Sequence, residues 1–181
     1  MTWPYPSDEQ LDAWVLQTSR RALGYAVTLT HNREDAEDIV HDCYSRLLGK
    51  VDQYDLLRDG TKLLFRSITN GCINLAQRRR PESSLNHLEQ DGGRDRHALA
   101  DGRADQPVQR AILHELEQAV VAAMSELPVA QRAAIELRSM GHSLIEVADM
   151  LEISPANARV VLHRARTALA TKLHPFIESE N

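Results

Sequence analysis

Aromatic side chains, turn-forming residues and cysteines are all scarce in this chain of 181 residues. Only 4% of the residues are aromatic, and the sequence holds 8 glycines and 7 prolines. A β-sandwich needs frequent turns and favours aromatic and β-branched residues, so this scarcity argues against an all-β fold. Alanine, leucine, arginine, glutamate and glutamine dominate instead, and they are good helix formers. The composition predicts an all-α protein.

The sequence also lacks the marks of export and membrane insertion. Its two cysteines, Cys43 and Cys72, are too few for a disulfide framework, and both fall on apolar faces, so we expect small core residues. The amino terminus shows no basic or apolar stretch typical of a signal peptide. Apolar runs such as Ala119–Met124 fall short of the roughly 18 residues that a membrane span requires. We therefore expect a cytoplasmic protein with no direct membrane insertion.

Charge is mildly acidic overall, with 21 basic and 26 acidic residues and a net charge of -5. This balance argues against a protein that coats nucleic acid without specificity, but it permits local basic patches. Apolar residues make up 43% of the chain, which is enough to bury a core.

Apolar residues recur at helical spacing through the first 80 residues. Ser7 begins a capping-box pattern that predicts the start of a first helix, and Asn32 marks the start of a second. A third helix is expected after the polar stretch of residues 50–60, and it runs into three arginines before Pro81 ends it.

Residues 81–107 lack this periodicity and contain scattered glycines and charges of both signs. They predict a flexible linker between a first helical domain, residues 1–80, and a second, residues 108–181. We expect the two domains to fold independently. Pro107, at the end of the linker, is the expected first helical residue of the second block.

Two start signals near the carboxyl end predict a helix-turn-helix in the second domain. Ser143 is expected to cap a short helix, and Ser154 a second helix that follows a tight turn. In this plan the second helix enters the major groove of DNA. Its outward arc mixes cations, a hydroxyl and exposed methyl groups, as groove contact requires. The arc comprises Ala156, Arg159, Val160, His163, Arg164 and Thr167. A helical hairpin with a solvated basic face is the alternative.

Two further helices carry charge of one sign. The third has cations without any acid: Lys62, Arg66, Arg78, Arg79 and Arg80. Asn70 and Asn74 lie among them one turn apart, and amides of this kind contact base edges. The second helix is acidic, with Glu34, Asp35, Glu37, Asp38 and Asp42. The basic pattern fits either DNA binding or a solvated face. The acidic one fits a dock for a basic partner or complementarity to the helix dipole.

Catalytic patterns are missing from the sequence. It contains no glycine-rich phosphate loop, nucleophile elbow or CxxC motif, and its histidines lack the spacing of a zinc site. We expect no enzyme activity, no catalytic residues, no cofactor, no metal site and no small-molecule substrate.

Several of these segments match a known family. The segment Asp35–Asp42, followed by Phe65–Asn70, resembles region two of bacterial sigma factors. Leu127-Pro128 through Arg132, then Glu146–Ala148 and Leu162–Arg166, resembles region four. Two such regions with one linker and no region three are similar to the extracytoplasmic-function (ECF) branch.

The resemblance implies transcription initiation without catalysis by this chain. The implied partners are core RNA polymerase, through its β′ clamp helices and β flap, promoter DNA, and an anti-sigma factor. The residues expected on the β′ clamp helices are Asp35, Glu37, Asp38, His41 and Asp42. Those expected at the minus-ten element are Lys62, Arg66, Asn70, Asn74, Arg78 and Arg79. Those expected at the minus-thirty-five element are Ser154, Asn157, Arg159, Val160, His163, Arg164 and Arg166.

Three residues depart from the family pattern: His41 stands where Gln is usual, Leu63 where Trp is frequent, and Val161 at a commonly basic position. Two other functions fit parts of the sequence. One is a sigma-like decoy that titrates an anti-sigma factor, and the other is a stand-alone helix-turn-helix repressor. A repressor has no use for the acidic helix. Basic and amide residues in both DNA-facing helices favour a working sigma factor over a decoy.

Overall fold

Seven α-helices and no strand make up the part of the chain described by the structure, a computed structural model that covers residues 5–79 and 107–178. The helices are α1 (Asp8–Thr30), α2 (Arg33–Leu48), α3 (Gly60–Arg79), α4 (Pro107–Ser125), α5 (Val129–Ser139), α6 (Leu144–Met150) and α7 (Pro155–Glu178). The all-α prediction is confirmed. Pro107 begins α4 as predicted, and the rest of the predicted linker, with Arg80, lies outside the described residues.

Side-chain caps set the beginnings of the helices, as the sequence predicts. Ser7 and Ser143 each form a reciprocal capping box, and Asn32 caps α2. The Ser154 hydroxyl accepts a hydrogen bond from the backbone N–H of Asn157 at 3.2 Å. Because each of these bonds spans three residues, the local sequence alone determines it.

Helices α1, α2 and α3 form the first domain around a buried core. Leu64, Phe65 and Ile68 of α3 are buried at its centre. At the start of α3 the backbone lies so close to Trp14 that a Cβ on Gly60 would stand 3.0 Å from its ring, so any side chain there would force the ring to shift. This close contact with Trp14 fixes the orientation of the first turn of α3 relative to the preceding loop.

Both cysteines belong to this core, as predicted. Burial raises the pKa of Cys43 to about 11 and that of Cys72 to about 12. Both side chains are buried free thiols. They therefore stay protonated near neutral pH, and act as small apolar groups.

Helices α4 to α7 form the second domain and contain the predicted helix-turn-helix. In the turn between α6 and α7, Glu152 adopts a left-handed backbone with φ 55°. The inward side of α7 is buried at Ala158, Leu162 and Ala165, which is the face that helical periodicity predicts. The opposite side of α7 is left for solvent or a ligand.

The two domains contact each other through α5 and α6, which pack against α1 and α3. Arg132 of α5 is only 6% exposed and lies at this junction. Its guanidinium donates hydrogen bonds to the carbonyls of Leu29 and Ser125, both at 3.1 Å, and of Met124 at 3.4 Å. These carbonyls belong to the last turns of α1 and α4, where the helix dipole is negative. One buried cation therefore joins the ends of two helices from different domains.

Replacing Arg132 with Met should lower the free energy of unfolding by about 2–4 kcal/mol, because buried carbonyls lose their donor. Urea denaturation followed by circular dichroism measures this loss. Arg159→Met, at an exposed arginine of α7, is the matched control and should cost much less. Equal losses in both variants would show that the carbonyl contacts contribute nothing specific.

His31 makes the same junction sensitive to acid. It ends α1 in a left-handed conformation and contacts the Arg132 guanidinium through Nε2. Partial burial, together with repulsion from Arg132, lowers the pKa of His31 from 6.5 to about 4. As the pH falls, His31 is therefore protonated in the unfolded chain before it is protonated in the folded chain. The stability from neutral His31 is complete above about pH 6.5 and is lost as the pH falls toward 4.

His31→Gln should therefore flatten the decline in stability between neutral pH and pH 5. The measurement is the free energy of unfolding of wild type and variant at both pH values. His163→Gln makes the same change at an exposed site on α7 and should follow the wild type. Parallel pH profiles for all three proteins would contradict the role of His31.

Candidate nucleic-acid and polymerase interfaces

The outward face of α7 carries the residues predicted for the minus-thirty-five element. All seven are exposed: Ser154, Asn157, Arg159, Val160, His163, Arg164 and Arg166. No ion pair with another described residue engages the three arginines among them. Val160 is apolar yet 44% exposed, which leaves its methyl groups available to a thymine methyl. The face can thus offer cations to phosphates and guanine, and an apolar contact to thymine.

The predicted polymerase-binding residues divide into two groups. Glu37, Asp38, His41 and Asp42 are exposed on α2. Asp35 is instead half-buried, and its two carboxylate oxygens accept hydrogen bonds from the Arg79 guanidinium, each at 2.7 Å. The first group forms an open face, whereas Asp35 joins α2 to the end of α3.

The acids on this open face differ in whether they form an ion pair. Glu37 pairs with Arg33 at 2.8 Å, and Asp42 pairs with Arg46 at 2.7 Å. Both are exposed pairs one helical turn apart, which contribute little and exchange readily for another basic partner. Asp38 has no such pair among the described residues and presents its full charge.

The predicted minus-ten residues do not form one open surface. Asn74 and Arg78 are exposed, and Arg79 is held by Asp35. Lys62, Arg66 and Asn70 instead face the second domain, where Asp149 of α6 and Glu152 of the following turn lie against them. These two acids are not predicted from the sequence, because no local pattern relates them to α3.

Two ion pairs form this contact between α3 and the second domain. The Lys62 ammonium lies 2.9 Å from Asp149, and the Arg66 guanidinium lies 2.8 Å from Glu152. The hydrogen bond from Lys62 lowers the pKa of Asp149. Those from Arg66 and then Asn70 lower the pKa of Glu152. Both carboxylates are therefore ionised and paired near neutral pH.

A cleft of about 390 Å³ lies beside this contact, between α2, α3 and the loop that joins them. Its lining comprises Arg46, Leu47, Lys50, Tyr54, Leu63, Arg66, Ser67, Asn70 and Glu152. Tyr54 supplies an aromatic ring and Asn70 an amide, which suits a base that stacks and hydrogen-bonds. Leu63 gives the cleft an aliphatic wall. Tyr54 is not among the residues predicted for a site, although an aromatic residue in a polar loop beside a basic helix is a usable signal.

Comparison with known proteins identifies both domains. Residues 14–82 match the family model of sigma-70 region 2, and residues 117–169 match that of sigma-70 region 4. The ECF sigma factor SigW of Bacillus subtilis is 27% identical over 146 residues, which cover 78% of this chain and 77% of SigW. The ECF sigma-E factor of Escherichia coli is 29% identical over 147 residues, covering 79% and 76% respectively. The chain belongs to the ECF sigma factors.

A further relative and a solved structure agree with this membership. The sigma-H factor of Pseudomonas aeruginosa is 24% identical over 174 residues, covering 92% of this chain and 87% of its own. The fold is similar to that of the sigma factor RpoE from Bartonella quintana, solved in complex with the anti-sigma factor NepR. That match has a TM-score of 0.63 at 20% identity and covers 92% of this chain and 98% of the other.

Membership places this sigma factor among transcription regulators, which are DNA-binding proteins rather than enzymes. Within residues 5–79 and 107–178, no helix is both long and apolar enough to cross a bilayer.

Replacing Arg159 or Arg164 with Ala should weaken binding of the full-length sigma factor to promoter duplex. If the lost contact is to a phosphate, the salt dependence of log K should fall by about one. If it is to a base, discrimination of about 1–3 kcal/mol should relax at one position. Fluorescence anisotropy over a salt series separates the two results. Arg20→Ala, at an exposed site on α1, is the control, and affinities equal to that control would reject the assignment.

Proposed function

We propose that this sigma factor binds core RNA polymerase and directs initiation at promoters defined by a minus-ten and a minus-thirty-five element. The observation that carries the proposal is that exposed faces of opposite charge lie on separate domains. The acidic face of α2 suits a basic protein surface, and the basic outward face of α7 suits DNA. A stand-alone repressor needs only the basic face of α7.

The polymerase would bind both domains. The β′ clamp helices would meet the open face of α2, where Asp38 carries an unshared charge and His41 offers a ring nitrogen as hydrogen-bond partner. The β flap would meet the second domain. Divided attachment of this kind allows the polymerase to set the distance between the two DNA-binding surfaces.

Promoter contact would likewise be divided. The outward face of α7 would read the minus-thirty-five element in the major groove, with Arg159 and Arg164 as its cations. The basic side of α3 and the adjoining cleft would hold the minus-ten strand. Tyr54, which lines this cleft, would stack on an unpaired base and so favour strand opening.

Control by an anti-sigma factor in the cytoplasm completes the proposal. Its support is the likeness of fold to a sigma factor that was solved with an anti-sigma factor. A decoy would need only the surfaces that bind such a partner. The exposed reading face of α7 favours a working sigma factor instead.

Charge reversal separates the two surfaces. In the double variant Asp38→Lys, Asp42→Lys, like charge would meet a basic partner at a cost of several kcal/mol, so capture of core polymerase should fall at least about tenfold. Arg159→Glu, Arg164→Glu should leave capture intact but abolish transcription from the cognate promoter. Pull-down with core polymerase and in-vitro transcription are run on each variant.

The matched control is Glu115→Lys, Glu117→Lys, which reverses two exposed acids of α4 and should behave as wild type in both assays. Circular dichroism checks that each variant is folded. Normal polymerase capture by the α2 variant would contradict the docking assignment. A wild-type protein that captures polymerase but supports no transcription would contradict promoter direction. One that captures no polymerase would reject the sigma function and leave the decoy or the repressor.

A further inference from the structure

We propose that the cleft between α2, α3 and the loop that joins them is a binding site for a free guanine nucleotide with a terminal phosphate. This ligand would compete with the promoter strand, and that competition rests on the proposed function of α3. The cleft volume of about 390 Å³ lies within the range of roughly 300–1,000 Å³ that small-molecule sites occupy. Its lining combines a stacking surface, hydrogen-bonding groups and cations. A nucleotide requires all three.

The stacking surface consists of one aromatic and two aliphatic side chains. Tyr54 lines the cleft and is 38% exposed, so its ring is accessible to a ligand. Leu47 of α2 and Leu63 of α3 line the same cleft. A nucleobase can stack on an aromatic side chain because every base has a π-face. These side chains therefore favour a nucleotide over an inorganic anion, which can neither stack nor bury apolar surface.

The polar groups of the lining favour guanine among the bases. Oε1 of Glu152 accepts two hydrogen bonds from Arg66, at 2.8 Å and 3.2 Å. Because a carboxylate has about four acceptor positions, Glu152 can accept further N–H groups. Guanine presents two neighbouring N–H donors on one edge, which suit a carboxylate. Ser67 and Asn70 add a hydroxyl and an amide for the ribose and the remaining atoms of the base.

The charge of the lining matches a terminal phosphate better than a phosphodiester. Its cations are Arg46, Lys50 and Arg66, and its one acid is Glu152, which leaves an excess of two positive charges. A phosphate monoester carries a charge of about −1.5 to −2 near neutral pH. Each phosphate of a DNA strand carries a single negative charge. A free nucleotide therefore balances the cleft, whereas one nucleotide of a strand does not.

Two of the three cations are available to the phosphate. Lys50 forms no ion pair with any side chain that the structure describes. Arg46 pairs with Asp42 at 2.7 Å, but both side chains are more than half exposed, and such a pair exchanges readily for another anion. Arg66 is bound to Glu152 instead, and holds that carboxylate at the cleft for the base.

Isothermal titration calorimetry of the full-length protein with guanosine 5′-monophosphate (GMP) tests the site. Binding should saturate, and guanosine, which lacks the phosphate, should bind at least about tenfold more weakly because charge-assisted hydrogen bonds are lost. For the same reason Lys50→Gln should weaken GMP binding about tenfold. The matched control is Arg58→Gln, which removes a cation from the same loop at a side chain that is 80% exposed and outside the cleft. Its affinity for GMP should equal that of the wild type.

Two further variants test the assignment of the base. Tyr54→Leu keeps an apolar side chain but removes the ring, and should weaken GMP binding at least about fivefold, the effect of losing one stacked base. Glu152→Gln should abolish the preference for GMP over adenosine 5′-monophosphate, because an amide has only one terminal oxygen to accept hydrogen bonds. A merely structural change would weaken the binding of both nucleotides equally. Circular dichroism checks that each variant is folded.

Heat that does not saturate would overturn the site, and so would equal GMP affinity in Lys50→Gln and Arg58→Gln. The competition has its own measurement, fluorescence anisotropy of a labelled single-stranded DNA at constant ionic strength. GMP should lower the affinity of the wild type for this DNA, and an unchanged affinity at saturating GMP would reject the competition.

None of these measurements uses polymerase, so the site and the proposed function can fail separately. If GMP does not bind while transcription is normal, only the nucleotide site is rejected. If GMP binds as expected while the wild type captures no polymerase, the nucleotide site stands and the sigma function is rejected.

Discussion

The burial of one guanidinium constrains much of this structure. Arg132 is removed from water, and a buried cation without acceptors would destabilise the fold by several kcal/mol. Its acceptors are carbonyls at the ends of α1 and α4, which already carry the negative end of a helix dipole. Once α5 is placed by these bonds, α6 follows through the short turn after Ser139, and lies on α3. The outward face of α7 is then directed to solvent.

Local sequence accounts for the helices and for the reading face, but not for the contact between domains. Capping by Ser7 or Ser143 joins residues three apart, and the outward face of α7 follows from helical periodicity alone. The Arg66–Glu152 pair joins residues 86 apart. Its formation depends on how two folded domains dock, which no periodic pattern encodes. For the same reason the sequence does not pair Lys62 and Arg66 with Asp149 and Glu152, as the structure does.

The cations Lys62 and Arg66 pair with carboxylates of their own chain. Under the proposed function, the phosphates of DNA would compete for the same hydrogen bonds. Because the pairs are exposed, neither choice is held by a large free energy. The acidic face of α2 lies outside this competition and stays open to a basic partner.

A distance measured across the two domains of the free protein tests the contact between them most directly. Cys43 and Cys72 are buried, so spin labels can be attached to cysteines introduced at exposed Gln17 of α1 and Ala170 of α7. Pulsed electron paramagnetic resonance should give one narrow distance distribution in the free protein, because Arg132 and the ion pairs of α3 hold the domains in one arrangement. A broad distribution in the free protein would contradict a defined contact between the domains.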